Sequence, residues 1–268
     1  MIKKITSLSH ALVKSTTELK QKKERTRRRE FVVEGSRSIE EVFKGGYRVA
    51  FLFVTTSAME QERVQEIIDT TLDQGGDLIE VSDNVMNKIA DTQTPSGVFA
   101  IVKHPTYTLE KLNEDKTDGL ILVLDEVRDP GNLGAIIRTA DAVGVKAIFL
   151  LKGCTDLYAS KTIRATMGSV FHLPVISDLE KEECIEWCKN TGHEIVVSTL
   201  EEAESLYDVK VNLNKTALVV GNEAAGVSEE FFKAADKKVY IPMQGKAESL
   251  NVAMATGIML FEFARRNK

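Results

Sequence analysis

Cysteine is scarce: only three stand among 268 residues. Cys154, Cys184 and Cys188 cannot build a disulfide framework. The four histidines, His10, His104, His172 and His193, are scattered. Cys184 and Cys188 sit four apart on an expected helix, but two ligands without further partners signal packing rather than a metal centre, so no metal is expected. No run approaches the roughly 18 apolar residues of a membrane span. The start, Met1-Ile2-Lys3-Lys4-Ile5-Thr6-Ser7, lacks the apolar core of a signal peptide. A soluble, cytoplasmic protein without membrane partners is therefore expected. Also missing are a G-x-G-x-x-G turn after the first strand of the second half, a Walker-type phosphate loop and a nucleophile elbow. Their absence removes ordinary dinucleotide binding, and with it a nucleotide-dependent oxidoreductase.

The formal charge of -5 averages over the chain and hides a basic stretch. Leu12 to Glu30 reads as one polar helix in which Lys14, Lys20, Lys22, Lys23, Arg25, Arg27, Arg28 and Arg29 outnumber Glu18, Glu24 and Glu30. Concentrated positive charge in an acidic protein points to a polyanion, with Lys22, Lys23, Arg25, Arg27, Arg28 and Arg29 as candidate phosphate contacts.

What is abundant is alternation. Short β-rich runs and helical patterns take turns from Phe31 to Val102, closing with the turn signal Thr94-Pro95-Ser96-Gly97. This defines a compact α/β unit over residues 1–104. Residues 105–118 are polar and aperiodic and are expected to link it to a second unit, 119–268. That unit opens on Leu120-Ile121-Leu122-Val123-Leu124, an apolar run of the kind buried on both faces of a parallel sheet. It then alternates strand and helix to the C-terminus, with Ser160 to Met167 read as one of its helices. A parallel sheet follows, and in such sheets ligands sit beyond the carboxyl ends of the strands.

Three strand ends carry polar chemistry. In the first, Pro130-Gly131 turns the chain, Asn132 is suited to cap the next helix, and Arg138 stands beside apolar residues where it needs an acceptor. In the second, Gly221 and Gly226 bracket Glu223, allowing close backbone approach. The third runs from Ile241-Pro242-Met243 through Ser249-Leu250-Asn251 into Val252 to Ala264, a helix apolar on nearly every side and so expected to be buried, with Ser249 and Asn251 as caps. Thr199 adds a fourth polar edge.

Together these residues carry a resemblance. Asn132-Leu133-Gly134-x-x-x-Arg138-Thr139, Val220-Gly221-Asn222-Glu223-x-x-Gly226, and Ile241-Pro242-Met243-x-Gly245 with Ser249-Leu250-Asn251-Val252-Ala253 resemble the three motifs of the SpoU (TrmH) family of RNA ribose 2′-O-methyltransferases. Phe31-Val32-Val33-Glu34-Gly35 and the Thr94 to Val98 turn resemble the L30e-like substrate-binding domain that precedes the catalytic domain in many members.

The resemblance implies an α/β fold: a SPOUT-type parallel sheet with a deep C-terminal trefoil knot, preceded by a smaller L30e-like domain. The knot comes from the motifs alone, because topology rules favour unthreaded chains. It further implies S-adenosyl-L-methionine as cofactor, held near Thr199, Leu200, Gly221, Ile241, Met243 and Leu250. Asn132, Arg138, Glu223, Ser249 and Asn251 would surround the reacting hydroxyl. The partners implied are RNA, with rRNA favoured over tRNA, and a second copy of the chain in a homodimer. Arginine keeps its proton under almost any condition, so Arg138 is read as a phosphate clamp, with Glu223 orienting Arg138 or Asn132 and Ser249 or water relaying the proton to an acceptor that stays open. A non-catalytic RNA-binding or ribosome-assembly factor on the same fold is the competing reading.

Overall fold

The computed structural model describes residues 3–105, 107–114, 118–222 and 225–266. By packing, the chain divides into two units, one of Met1–Thr106 with Tyr158–His172 and one of Tyr107–Leu157 with Leu173–Lys268.

The first unit contains β1 (Lys3–Ile5), α1 (Ala11–Glu18), α2 (Lys22–Arg28), β2 (Glu30–Glu34), α3 (Ser36–Lys44), β3 (Val49–Thr55), α4 (Thr56–Met59), α5 (Glu62–Asp73), β4 (Asp77–Val81), α6 (Asp83–Ile89) and β5 (Val98–Lys103). Its sheet runs β1-β4-β3-β5-β2, with β1, β4 and β3 parallel and β5 antiparallel to both β3 and β2. The single helix expected over Leu12 to Glu30 is two. Thr16 and Thr17 turn their hydroxyls back onto the carbonyls of Leu12 and Val13, Gln21 is extended, and Leu19 plugs the core between them. Glu30 then belongs to β2.

The second unit contains α7 (Leu109–Glu114), β6 (Gly119–Leu124), α8 (Pro130–Val143) and β7 (Ala147–Leu151). After α9 (Ser160–Thr166) it resumes with β8 (Val175–Leu179), α10 (Lys181–Thr191), β9 (Glu194–Ser198), β10 (Glu204–Ser205), β11 (Lys215–Val220), α11 (Glu229–Ala234), β12 (Lys237–Tyr240) and α12 (Val252–Arg266). The seven strands are parallel in the order β10-β12-β9-β11-β6-β7-β8. Strand order reverses between β6 and β11, the switch point where ligands bind in open parallel sheets. Within the stretch expected to be linker, Leu109 and Leu112 of α7 are buried in this unit's core.

The segment around α9 was read with the second alternation, yet it packs in the first unit. Tyr158 lies on Phe31 with centroids 4.6 Å apart, and Phe171 packs against both Phe31 and Tyr47. Aromatic area of this size outweighs sequence adjacency.

Among the described residues no helix is long and apolar enough to cross a membrane. No cluster of three or more potential metal ligands occurs among them. His193 is instead a packing residue, 4% exposed and stacked on Trp187 at 4.9 Å. Its Nδ1 is 2.7 Å from the Thr191 hydroxyl. Burial, followed by the nearby Lys215 cation, pushes its pKa down to about 4. The unfolded chain binds this proton from about pH 6.5 downward, whereas the folded chain refuses it until about 4. Stability is therefore full above that window and falls as the pH drops through it, by on the order of 2–3 kcal/mol. In urea denaturation at pH 7 and pH 4.5, His193→Gln is expected to flatten this acid-side loss; an unchanged slope removes His193 as its source.

Candidate active site

The carboxyl ends of β9, β11 and β12 and the first turns of α12 enclose a cleft of about 410 Å³. Its walls include Thr199 and Leu200 beyond β9, Gly221 and Asn222 beyond β11, and Ile241, Met243, Ser249 and Leu250 on the chain between β12 and α12. The volume lies within the roughly 300–1,000 Å³ of small-molecule sites. Thr199 is fixed by its N–H to the Val239 carbonyl at 3.0 Å, and its hydroxyl accepts from the Glu201 N–H at 3.2 Å. Only glycine suits the end of β11, because a Cβ on Gly221 would stand 2.2 Å from the Gly226 carbonyl oxygen. That approach belongs to a tight turn in which Asn222 and Gly226 exchange two backbone hydrogen bonds of 2.9 Å.

The helix starts differ from the reading of the sequence. Asp129, not Asn132, caps α8, its Oδ1 accepting from the Asn132 N–H at 2.8 Å, with Pro130 in the first turn. This leaves the Asn132 side chain available for another contact. Asn251 does cap α12, accepting at Oδ1 from the N–H groups of Ala253 and Met254. Its Nδ2 donates to Asn132 Oδ1 at 3.1 Å, so the starts of α8 and α12 are tied together. Ser249 lies on the exposed loop and takes no part in the cap.

α12 is also not buried all round. Val252, Thr256, Met259, Leu260 and Phe263 face inward, while Met254 and Phe261 are 63% and 58% exposed. At its far end Arg266 pairs with Glu262 and donates to the Leu206 and Val209 carbonyls.

The six residues expected to hold a donor, Thr199, Leu200, Gly221, Ile241, Met243 and Leu250, all line this one cleft, as does Ser249. Asn132 and Asn251 meet beside it. Arg138 is exposed on α8, six residues and so about 9 Å along the axis from Asn132. The acceptor expected for it is not found among the described residues. Glu223 lies outside the described residues. Reading the sequence missed Glu201 and Tyr240, which line the cleft together with Glu248; only the rule that ligands sit beyond strand ends pointed to their loops.

Of the six basic candidates, Arg25 is buried and donates to the Leu19 carbonyl. Arg28 is held by Glu30 and by the carbonyl and hydroxyl of Ser15. Burial pushes the Glu30 carboxyl up, but hydrogen bonds from Lys103 and Arg28 outweigh it and hold the group below its ordinary value. These two arginines serve the fold. Lys22, Lys23, Arg27 and Arg29 are exposed, Arg27 in an ion pair with Glu24.

The SpoU rRNA Methylase family matches residues 119–261. The chain belongs to this family. Residues 10–100 match the MRM3-like substrate binding domain. The chain is thus an RNA methyltransferase of a family whose methyl donor is S-adenosylmethionine. It is similar to a Bacillus subtilis relative named 23S rRNA (guanosine(2553)-2'-O)-methyltransferase RlmP, 33% identical over 260 residues that cover 97% of this chain and 98% of the relative. An AdoMet-bound rRNA methyltransferase from Sinorhizobium meliloti superposes with a TM-score of 0.89 at 35% identity, covering 99% of this chain and 98% of that one. The SpoU methyltransferase AviRb from Streptomyces viridochromogenes, also in complex with AdoMet, gives 0.83 at 29% identity over 96% of this chain and 99% of its own.

The cleft fits such a donor. Leu200, Ile241, Leu250, Val252 and Met259 offer apolar walls for an adenine ring, and the carboxylates of Glu201 and Glu248 suit hydroxyl groups and a cationic ligand.

Asn251→Ala removes both the α12 cap and the partner of Asn132. It is expected to lower stability in denaturant melts by about 1–2 kcal/mol. A double-mutant cycle with Asn132→Ala is expected to be non-additive; strict additivity would show that the 3.1 Å contact couples nothing.

Proposed function

We propose that this protein transfers a methyl group to a ribose 2′-hydroxyl of ribosomal RNA and works as a homodimer, with its C-terminal segment threaded as a trefoil knot. The single cleft beyond β9, β11 and β12, with the Asn132–Asn251 pair beside it, carries the reading. The preference for rRNA is supported by two relatives named as rRNA methyltransferases, each matched over 98% of its own length. The dimer is supported by Met254 and Phe261, large apolar groups left in solvent on the helix next to the site.

When bound, S-adenosylmethionine supplies a sulfonium-activated methyl carbon. Thr199, Leu200, Gly221, Ile241, Met243 and Leu250 hold it and exclude water from one side. Asn251 spends its oxygen on the α12 cap and its amide on Asn132, so it acts by aiming Asn132 at the nucleotide. Arg138 offers a forked set of donors to the neighbouring phosphate and, permanently charged, lowers the pKa of the hydroxyl. Ser249 on the cleft rim, or a water beside it, relays the hydroxyl proton to bulk solvent, and Glu223 orients Arg138 or Asn132.

The test is tritium transfer from labelled donor to rRNA and to tRNA transcripts, with mapping of the 2′-O-methyl mark. Transfer to rRNA is expected, with Arg138→Lys reduced by about 100-fold or more in kcat because the fork is lost. Near-normal Arg138→Lys turnover defeats the clamp, and tight RNA binding with no transfer in the wild type returns the assembly-factor reading.

Phosphate contacts on α2 and the residue that ends it are assigned to Lys22, Lys23, Arg27 and Arg29. Replacing all four by Gln is expected to reduce the slope of log K against log salt by about 3. An unchanged slope removes α2 from the RNA surface.

A further inference from the structure

Asp125, at the end of β6, is 2% exposed and belongs to neither the cleft lining nor the Asn132–Asn251 pair. Its N–H donates to the Val220 carbonyl at 2.9 Å, and its Oδ2 accepts from the Ser228 N–H at 2.8 Å. Among the described residues, its second oxygen is buried without a partner. One residue further on, the Glu126 carbonyl accepts from Asn222 Nδ2 at 3.1 Å. The segment 222–228 is thus pinned at both ends to the end of β6, at its start through Glu126 and at its finish through Asp125. Between the pins it turns tightly on Gly226 at φ +73°, with Ala225 N–H donating to Asn222 Oδ1. Gly221, Asn222, Ala225 and Gly226 form one wall of the cleft.

A buried carboxylate with an unsatisfied oxygen is an unfavourable way to fill space, and an apolar side chain would pack better. Its one strong bond is instead to the backbone that frames the cleft. From this we propose that Asp125 is a positioning residue for methyl-donor binding, holding the 222–228 turn at the distance from β6 that keeps the donor cleft open. The proposal rests on the cleft being the donor site. It predicts a larger effect on the donor than on RNA, because Asp125 reaches the cleft only through the turn.

The experiment uses the full chain with Asp125→Ala, Asp125→Asn and Ser228→Pro, reading S-adenosylhomocysteine affinity by calorimetry and separate KM values for donor and RNA. Asp125→Ala is expected to raise the S-adenosylhomocysteine Kd and the donor KM by about tenfold or more, with the RNA KM held within about twofold. Asp125→Asn keeps an oxygen to accept from Ser228 and is expected to recover to within about threefold of wild type. Ser228 already has φ -62°, which proline shares, so Ser228→Pro deletes the N–H without forcing this φ and should reproduce Asp125→Ala. It carries the test alone should Asp125→Ala not fold. Unchanged donor affinity in both variants overturns the proposal, as does a donor and RNA KM that rise together. Calorimetry needs no methyl transfer, so failure of the wild type to methylate rRNA would refute the functional reading while leaving this one separately testable.

Discussion

The junction of two helix starts is the constraint on which the catalytic unit depends. α8 begins at the end of β6 and α12 begins eleven residues after the end of β12, three strands away in the sheet. To reach α8, the chain from Ile241 to Asn251 must cross the ends of β9 and β11, and in doing so it walls the cleft. The Asn251 side chain closes this crossing by satisfying N–H groups of α12 with one atom and Asn132 with the other. A helix start leaves backbone donors open, and these must be met wherever the surroundings are packed. Here one asparagine meets them and sets the register between the two helices.

The cleft follows from the same crossing. Parallel strands end in a row, and their loops would splay without something laid across them. The loop beyond β11 is compressed until Gly221 nearly touches Gly226, the loop beyond β9 is tied by Thr199 to β12, and the crossing segment covers both. Cys154, near the end of β6, takes no part in the chemistry. Burial pushes its thiol up to about 11, and its sulfur donates to the Leu124 carbonyl.

In the first unit, charge is divided between architecture and surface. Arg25 and Arg28 are consumed by a carbonyl, a serine and Glu30, which anchors the start of β2 to α1. Lys22, Lys23, Arg27 and Arg29 stay outside. The run Arg27-Arg28-Arg29 looks uniform as letters, but helical spacing and the left-handed turn at Arg29 send its members to different surroundings.

The sequence by itself determined the class of the fold, the family and part of the cleft lining, from Thr199 and Gly221 to Met243 and Leu250, because strand ends, glycine turns and cap-type residues are local signals that survive without a structure. It also showed where the second sheet begins, since an apolar run such as Leu120 to Leu124 suits a strand covered on both faces. Tertiary structure alone decided which of several local options was used. It chose Asp129 over Asn132 as cap, buried Arg25 and half-buried Arg28 among the six basic residues, and moved the segment around α9 into the first unit through Tyr158 and Phe171. It also exposed Met254 and Phe261 on the helix beside the cleft. Each of these choices turns on which surfaces meet across long separations in the chain, and no local pattern records them.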